Sequence, residues 1–310
     1  MNLSATRLFE RLQPFLALSR TPHALIDMAA PALAALLCLG SFPPPTVVLV
    51  GLITVFAGYT AVYAVNDLVD LRADRRKAAN GGHQVAGHDL DGVMMRHPMA
   101  RGALSFGAGA AWTAAWGVVA LFGAYWLNPV CLYIFAAGCL LEALYCTLWR
   151  VTPWRTVING IVKTLGPLAA VYAVNPAPSP VFVAVLFAWI FVWEIGGQNI
   201  PNDWTDVEED RRFGARTIPL RLGPARAGIL ALACLTAAMF LNVALLGLSP
   251  LRFGGVYLLI AVAVNLLLLL RPVMRLNRNR QRDDAMALFN KASYYPLAFF
   301  VLVLVRLLQS

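Results

Sequence analysis

Two stretches of this chain carry carboxylates at a spacing suited to metal-assisted phosphate chemistry. Asn66-Asp67-Leu68-Val69-Asp70-Leu71-Arg72-Ala73-Asp74-Arg75-Arg76 recurs as Asn202-Asp203-Trp204-Thr205-Asp206-Val207-Glu208-Glu209-Asp210-Arg211-Arg212, with N-D-x-x-D-x-x-x-D-R-R in common. On a helix, positions i, i+4 and i+8 drift by only about 40° per step and climb about 6 Å. Asn66, Asp70 and Asp74 therefore line one stripe, and Asn202, Asp206 and Asp210 are expected to line another. Ten of the 16 acids fall in 67–91 and 203–210. Carboxylates gathered so closely repel unless a cation sits among them, and hard divalent ions take oxygen ligands. Mg²⁺ in particular joins one or two carboxylates to the phosphates of a substrate. The expected metal set is Asn66, Asp67, Asp70, Asp74, Asn202, Asp203, Asp206 and Asp210.

The elements that position these motifs are set by composition. Of 310 residues, 59% are hydrophobic and only 13% charged, and the mean hydropathy is +0.66. A soluble domain carries about a quarter charged residues, so a cytosolic enzyme, a disordered chain and a secreted disulfide scaffold are excluded. Nine apolar runs of membrane-spanning length fall at 23–41, 46–66, 103–126, 129–149, 157–175, 180–201, 226–247, 254–271 and 293–309. Short alternating strands are absent, which excludes a barrel. The expected fold is an all-α polytopic bundle in one domain spanning 1–310.

Arg7, Glu10, Arg11 and Arg20 alternate with Leu8, Phe9, Leu12, Phe15 and Leu16, so residues 1–20 read as an amphipathic helix on the membrane surface. No small-residue cleavage site follows it, and it is not read as a signal peptide. The net charge of +9 would otherwise point to nucleic acid. Instead, 22 of the 25 Lys and Arg fall before the first span or in the even-to-odd loops, while Arg252 alone occupies an opposite loop. The positive-inside rule places the N-terminus and those loops in the cytoplasm, which in a bacterium means the inner membrane. Four spans separate the two motifs. An even number returns both to one membrane face, as in two parallel four-helix repeats followed by one extra helix.

Ionisable residues inside spans are costly and usually functional. Asp27, Glu142, Lys163 and Glu194 each lie within about two helical turns of the cytoplasmic end of a span, which points to one cavity open to that side. Lys163 is placed to hold phosphate, and Glu142 or Glu194 to orient an acceptor or take its proton. Arg75, Arg76, Lys77, Arg211, Arg212 and Arg216 stand beside the acidic stripes as phosphate contacts or topology anchors. Cys38, Cys131, Cys139, Cys146 and Cys234 lie inside spans without metal-type spacing and read as small hydrophobes. His83, His88, Asp89 and Asp91 fall among Gly81, Gly82 and Gly87, and the segment reads as a cap over the site. Trp126, Trp149 and Trp154 read as interfacial belt residues, whereas Trp189 and Trp193 share a face beside Glu194 and are candidates for a cavity wall.

These motifs, together with nine spans, resemble the UbiA superfamily of intramembrane prenyltransferases over nearly the whole chain. Arg96-His97-Pro98-Met99-Ala100-Arg101-Gly102-Ala103-Leu104-Ser105 is similar to the family's RPLxxGxxS segment, with His97 inserted between Arg and Pro. Gly214-Ala215-Arg216-Thr217-Ile218-Pro219-Leu220-Arg221-Leu222-Gly223 is similar to its GxxTxPxxxG segment. The stretch from Ala78 to Met95 is longer than the family pattern. The resemblance implies a prenyl diphosphate held through Mg²⁺, ionisation of its allylic C–O bond, and transfer of the chain to an aromatic or other lipophilic acceptor within the lipid membrane. It adds Tyr145 beside the site, with Arg150 in place of a lysine. The reacting groups would be Asp70, Asp206, Lys163, Tyr145 and Glu194, with Arg75, Lys77, Arg150, Arg212, Arg216 and Glu142 contacting substrate. An intramolecular terpene cyclase on the same fold would carry identical motifs. A transporter for an anionic lipid is disfavoured, because its polar features belong near the midplane.

Overall fold

The computed structural model describes residues 3–80 and 94–309. Among the described residues nine helical segments are long and apolar enough to cross a membrane. An N-terminal helix α1 (Leu3–Leu18) precedes them. The first span joins α2 (Thr21–Asp27) and α3 (Ala29–Leu39), and the second is α4 (Pro45–Ala79). Next come α5 (Phe106–Leu127), α6 (Pro129–Thr147) and α7 (Arg155–Val174). The sixth span joins α8 (Pro180–Trp193), a π-helical turn at Glu194–Asn199, and α9 (Ile200–Thr205); α10 (Val207–Phe213) follows it. The seventh is α11 (Ile218–Leu248), and the eighth joins α12 (Gly255–Asn265) to α13 (Arg271–Asn279). The ninth joins α14 (Arg282–Ser293) to α15 (Tyr295–Leu308).

Local sequence explains most boundaries. Asn128 caps α6 by accepting from the Val130 amide at 2.9 Å, with Pro129 in the first turn where no amide is missed. Ser105 caps α5 through the Ala108 amide. Gly40 and Gly214 close α3 and α10 with positive φ.

The two motifs are built differently. From Asn66 to Ala79 the chain contains neither Gly nor Pro, so α4 continues without a break for 35 residues and carries its acids as one stripe. The second motif does not form the continuous stripe expected of it. Gly196 and Gly197 weaken the helix, and Pro201 cannot donate to the carbonyl four residues back, so the turn loosens into π geometry. At Asp206 the backbone leaves the helix altogether (φ −105°, ψ 8°). There the Thr205 hydroxyl hydrogen-bonds the Asn202 carbonyl at 2.8 Å, competing with the helical ladder.

The N-terminal segment also departs from a purely surface helix. Residues 10–12 are exposed, but Ala17, Leu18 and Ser19 are buried in the bundle. Ser19 accepts a hydrogen bond from the Trp112 indole at 2.9 Å. The proposed cap carrying His83, His88, Asp89 and Asp91 lies outside the described residues.

The bundle packs α4 against α5 and α6, and α7 against α3, α6 and α8, while α11 covers α8. Trp189, Trp193, Tyr295 and Phe299 fill the main core. The Trp189 indole donates to the Tyr295 hydroxyl and the Trp193 indole to the Ala292 carbonyl. Neither tryptophan lines the cavity described below, so a cavity role for them is set aside. Their size and paired N–H groups suit a dry core.

Candidate active site

A small polar pocket of about 120 Å³ lies between the two motifs, lined by Asp67 of the first and by Asn202 and Asp206 of the second, with Arg20, Arg96 and His97. Beneath it a larger, mostly apolar cavity of about 470 Å³ reaches into the bundle. Arg20 and Asn202 line both, so the two compartments adjoin.

Among the motif aspartates, Asp67, Asp74 and Asp203 are ion-paired with cationic neighbours. Asp67 and Asp74, seven residues apart on α4, face His97, whose Nδ1 lies 3.4 Å from one and 2.9 Å from the other. His97 adopts a left-handed backbone (φ 51°), an uncommon conformation outside glycine that aims the ring at both carboxylates. Burial alone would lower its pKa, but hydrogen bonds to Asp67 and Asp74 raise it to about 9. Arg20, also left-handed (φ 44°), reaches Asp67 at 3.8 Å. In the second motif Asp203 holds Arg155 at 3.3 Å, and that guanidinium lies 4.5 Å from the Tyr145 ring centroid. Burial and the nearby Asp203 carboxylate raise the Asp210 carboxyl to about 7. Asp206 is raised by burial, which the charge of Arg96 partly offsets.

The ends of the two motifs clasp one another. Lys77 reaches Glu209 at 3.6 Å while lying 4.2 Å from the Trp149 ring centroid. Arg212 donates to the Asn80 carbonyl at 3.1 Å.

Deeper down, a second polar layer crosses the bundle. Asn66 donates to Glu142 at 2.9 Å, tying the first motif to α6. Lys163 pairs with Asp27 at 2.6 Å, and the Tyr63 hydroxyl donates to the same carboxylate. Glu194, on the π turn, accepts at Oε1 from Asn199 at 2.8 Å and Asn159 at 3.2 Å. Its buried Oε2 has no hydrogen-bond partner among the described residues.

The expected residues therefore divide by place. Asn66, Glu142, Tyr145, Lys163, Glu194 and Asn202 line the large cavity, and Asp67, Asn202 and Asp206 the small one. Asp70 is half-buried on the α4 stripe, with Asp74 below His97 and Asp203 on Arg155. Arg75 is exposed. Arg150 turns outward over Trp149, and exposed Arg216 donates to the Val151 carbonyl. The cation beside Tyr145 is Arg155, which sequence reasoning did not select. A signal for it existed: Arg155 opens α7, and a positive charge at a helix N-terminus is unfavourable without a counter-ion. Arg20, Arg96, His97, Asn159 and Asn199 were also missed as site residues.

With this geometry established, the sequence profile of the UbiA prenyltransferase family matches residues 28–295. The chain belongs to this family. Similar proteins include the digeranylgeranylglyceryl phosphate synthase of Methanoregula boonei, 26% identical over 56% of this chain and 60% of that protein. The enzyme of the same name from Thermococcus sibiricus is 26% identical over 68% of this chain and 69% of that protein. The first of these matches spans less than two thirds of the relative's length. Among solved structures, the apo UbiA homolog of Aeropyrum pernix K1 aligns with TM-score 0.71 and 21% identity, covering 91% of this chain and 97% of that one. The UbiA homolog of Archaeoglobus fulgidus bound to DMAPP and Mg²⁺ aligns with TM-score 0.65 and 17% identity, covering 94% and 99%. At these identities the structures establish a shared fold. This UbiA family member is thus an integral membrane protein with its polar pocket at one end of an apolar cavity.

Proposed function

We propose that the protein is a Mg²⁺-dependent intramembrane prenyltransferase, joining the chain of an allylic prenyl diphosphate to a lipophilic or aromatic acceptor. The observation that carries this reading is a polar pocket bordered by both Asp motifs and opening onto an apolar cavity. The family assignment, and relatives whose names describe lipid phosphate synthases, support it.

The donor set fits a hard divalent cation. Asp67 and Asp74 each offer a carboxylate oxygen, and these lie within 4.8 Å of one another and of the His97 ring nitrogen; the two oxygens suit Mg²⁺, with His97 as their resident counter-ion. In the second motif Asn202, Asp203, Asp206 and Asp210 supply further oxygens. In such a site Mg²⁺ supplies neutralisation of the diphosphate, which makes it a better leaving group. Arg20 and Arg96 line the same pocket, with Arg155 held on Asp203 of the second motif, and these cations would stabilise negative charge that accumulates as the allylic C–O bond breaks. The apolar wall excludes water that would quench the carbocation. The acceptor attacks the allylic carbon, and its proton passes to a carboxylate. Glu194 is the proposed recipient, because amides fix Oε1 while Oε2 has no described partner. Lys163 and Glu142 hold the polar layer in place. We further read the two motif-bearing halves as parallel repeats within one catalytic unit, with both motifs and the N-terminus cytoplasmic.

The test is mass spectrometry of purified protein in nanodiscs with Mg²⁺ and C10, C15 and C20 prenyl diphosphates, alone and with an acceptor panel. The expected result is a prenylated acceptor, formed in the presence of Mg²⁺, lost with EDTA, and reduced at least a hundredfold in Asp70→Ala and Asp206→Ala. A cyclic terpene formed without acceptor would replace transfer by cyclisation. Wild-type turnover in both variants would remove the aspartates from the mechanism.

A further inference from the structure

The large cavity crosses the full depth of the bundle. At one end it is bounded by Asn66 and Asn202 of the two motifs, and at the other by Leu127 and Val174, the last residues of α5 and α7. On α4 its wall follows the row Val47, Gly51, Val55, Gly58, Val62 and Asn66, flanked by Val48, Leu52, Thr54, Tyr59 and Tyr63. From Val47 to Asn66 a straight helix rises about 28 Å. An extended isoprene unit advances along four C–C bonds of roughly 1.5 Å in a zigzag, or about 5 Å. The row thus spans between five and six units.

Two glycines sit at separate depths along this wall. Gly58 lies about 12 Å below Asn66 and Gly51 about 22 Å below it by helical rise. A Cβ placed on Gly51 meets nothing within 4 Å, and one on Gly58 meets only the Phe135 ring, at 3.5 Å. The absence of side chains at these two positions keeps the cavity clear, and added side chains have somewhere to go without breaking the fold.

We infer that the protein takes a long prenyl diphosphate, of C20 or longer, and that Gly58 and Gly51 keep open the depths of the cavity that such a chain occupies. This rests on the prenyltransferase reading above. Because lipid tails are as apolar as the cavity, length is selected by available space more than by gain of apolar contact. A C10 chain ends above Gly58, whereas C15 passes it. A C20 chain ends near Gly51, and C25 passes that level.

The experiment measures equilibrium binding of unreactive thiolodiphosphate analogues of C10, C15, C20 and C25 chains to the full-length protein in nanodiscs with Mg²⁺. Wild type should bind C20 at least as tightly as C10. Gly58→Leu should leave C10 unchanged and weaken C15 and C20 at least tenfold, while Gly51→Phe should spare C15 and weaken C25 at least tenfold. Retained C10 binding shows that a variant is folded, and if Gly58→Leu binds no analogue the Gly51→Phe series decides alone. Equal weakening of all lengths, no weakening of C20 in Gly58→Leu, or wild-type preference for C10 over C20 would each overturn the proposal. Wild-type protein that binds no analogue in a Mg²⁺-dependent way would instead overturn the prenyltransferase reading beneath it.

Discussion

Arg155 and Asp203 show how a buried ion pair constrains a site. Both are buried, and each is the other's neutralising partner. Removing one partner of a buried pair leaves an uncompensated charge and costs about 3–5 kcal/mol, whereas replacing both with apolar residues is often neutral. Arg155→Met should therefore lower the thermal midpoint markedly, and Arg155→Met combined with Asp203→Leu should recover it without restoring turnover. An unchanged midpoint in the single variant would show that the pair is not structural. The same neighbourhood sets a pH dependence in metal-free protein. Asp210 is raised from 3.8 to about 7 and His97 from 6.5 to about 9. In both cases the folded state holds a proton that the unfolded chain has released, so stability falls as pH rises. The Asp210 contribution fades between about 4 and 7, and that of His97 is complete below 6.5 and lost through about 9. Thermal unfolding in EDTA should show a midpoint falling steadily from about pH 5 to about pH 9, with Mg²⁺ restoring much of the loss at the alkaline end. A midpoint that climbs over this range would contradict the assignment.

Among the elements, α4 and the sixth span carry equivalent motifs on unequal supports. The first is one rod, and the second is loosened at Glu194–Asn199 and broken at Asp206. The π turn is held by close packing: a Cβ on Gly196 would stand 2.9 Å from the Ala231 carbonyl oxygen and 2.8 Å from the Cys234 Cβ. Gly196→Ala should consequently cost about 1–3 kcal/mol through overpacking, visible as a lower thermal midpoint, with Gly51→Ala as an innocuous control because its Cβ meets nothing. Sequence pattern was enough to place the nine spans, because twenty-residue apolar runs admit few other fates in lipid. It also singled out the duplicated acids, of which Asp67 and Asp206 border the polar pocket. Patterning carries no record of which cation turns toward which acid. Arg150 and Arg155 are five residues apart and equally basic, yet only the start of α7 and the position of Asp203 decide that Arg155 points inward. Arg20 was read as part of a surface helix because burial of Leu18 and Ser19 depends on Trp112, 93 positions away from Ser19. The π turn before Pro201 and the interruption at Asp206 beside the Thr205 hydroxyl are both concealed by the shared acid spacing.

At the scale of the whole molecule, the cavity wall from Val47 to Asn66 rises about 28 Å, close to the roughly 30 Å thickness of a bilayer's hydrocarbon core. With the wall so aligned, Asn66 would stand at the hydrocarbon edge, level with the head group of the proposed diphosphate substrate. Initial rates in liposomes of defined chain length should peak near an eighteen-carbon phosphatidylcholine and drop several-fold in fourteen- and twenty-two-carbon lipids, since mismatch tilts or strains the spans. Rates independent of thickness would argue against this alignment. The pairing of Asp67, Asp74 and Asp203 with His97, Arg20 and Arg155 has a further consequence. In its resting form the site resembles a loaded ion exchanger, with imidazolium and guanidinium groups as the counter-ions of its carboxylates. On the proposed function, Asp67, Asp74 and Asp203 would hold a divalent ion, and His97, Arg20 and Arg155 would then be available to a diphosphate. Binding would be a swap of partners with little change in the site's total charge. That lets a cluster of acids sit beside an apolar chamber without the field that unbalanced charge would impose on it.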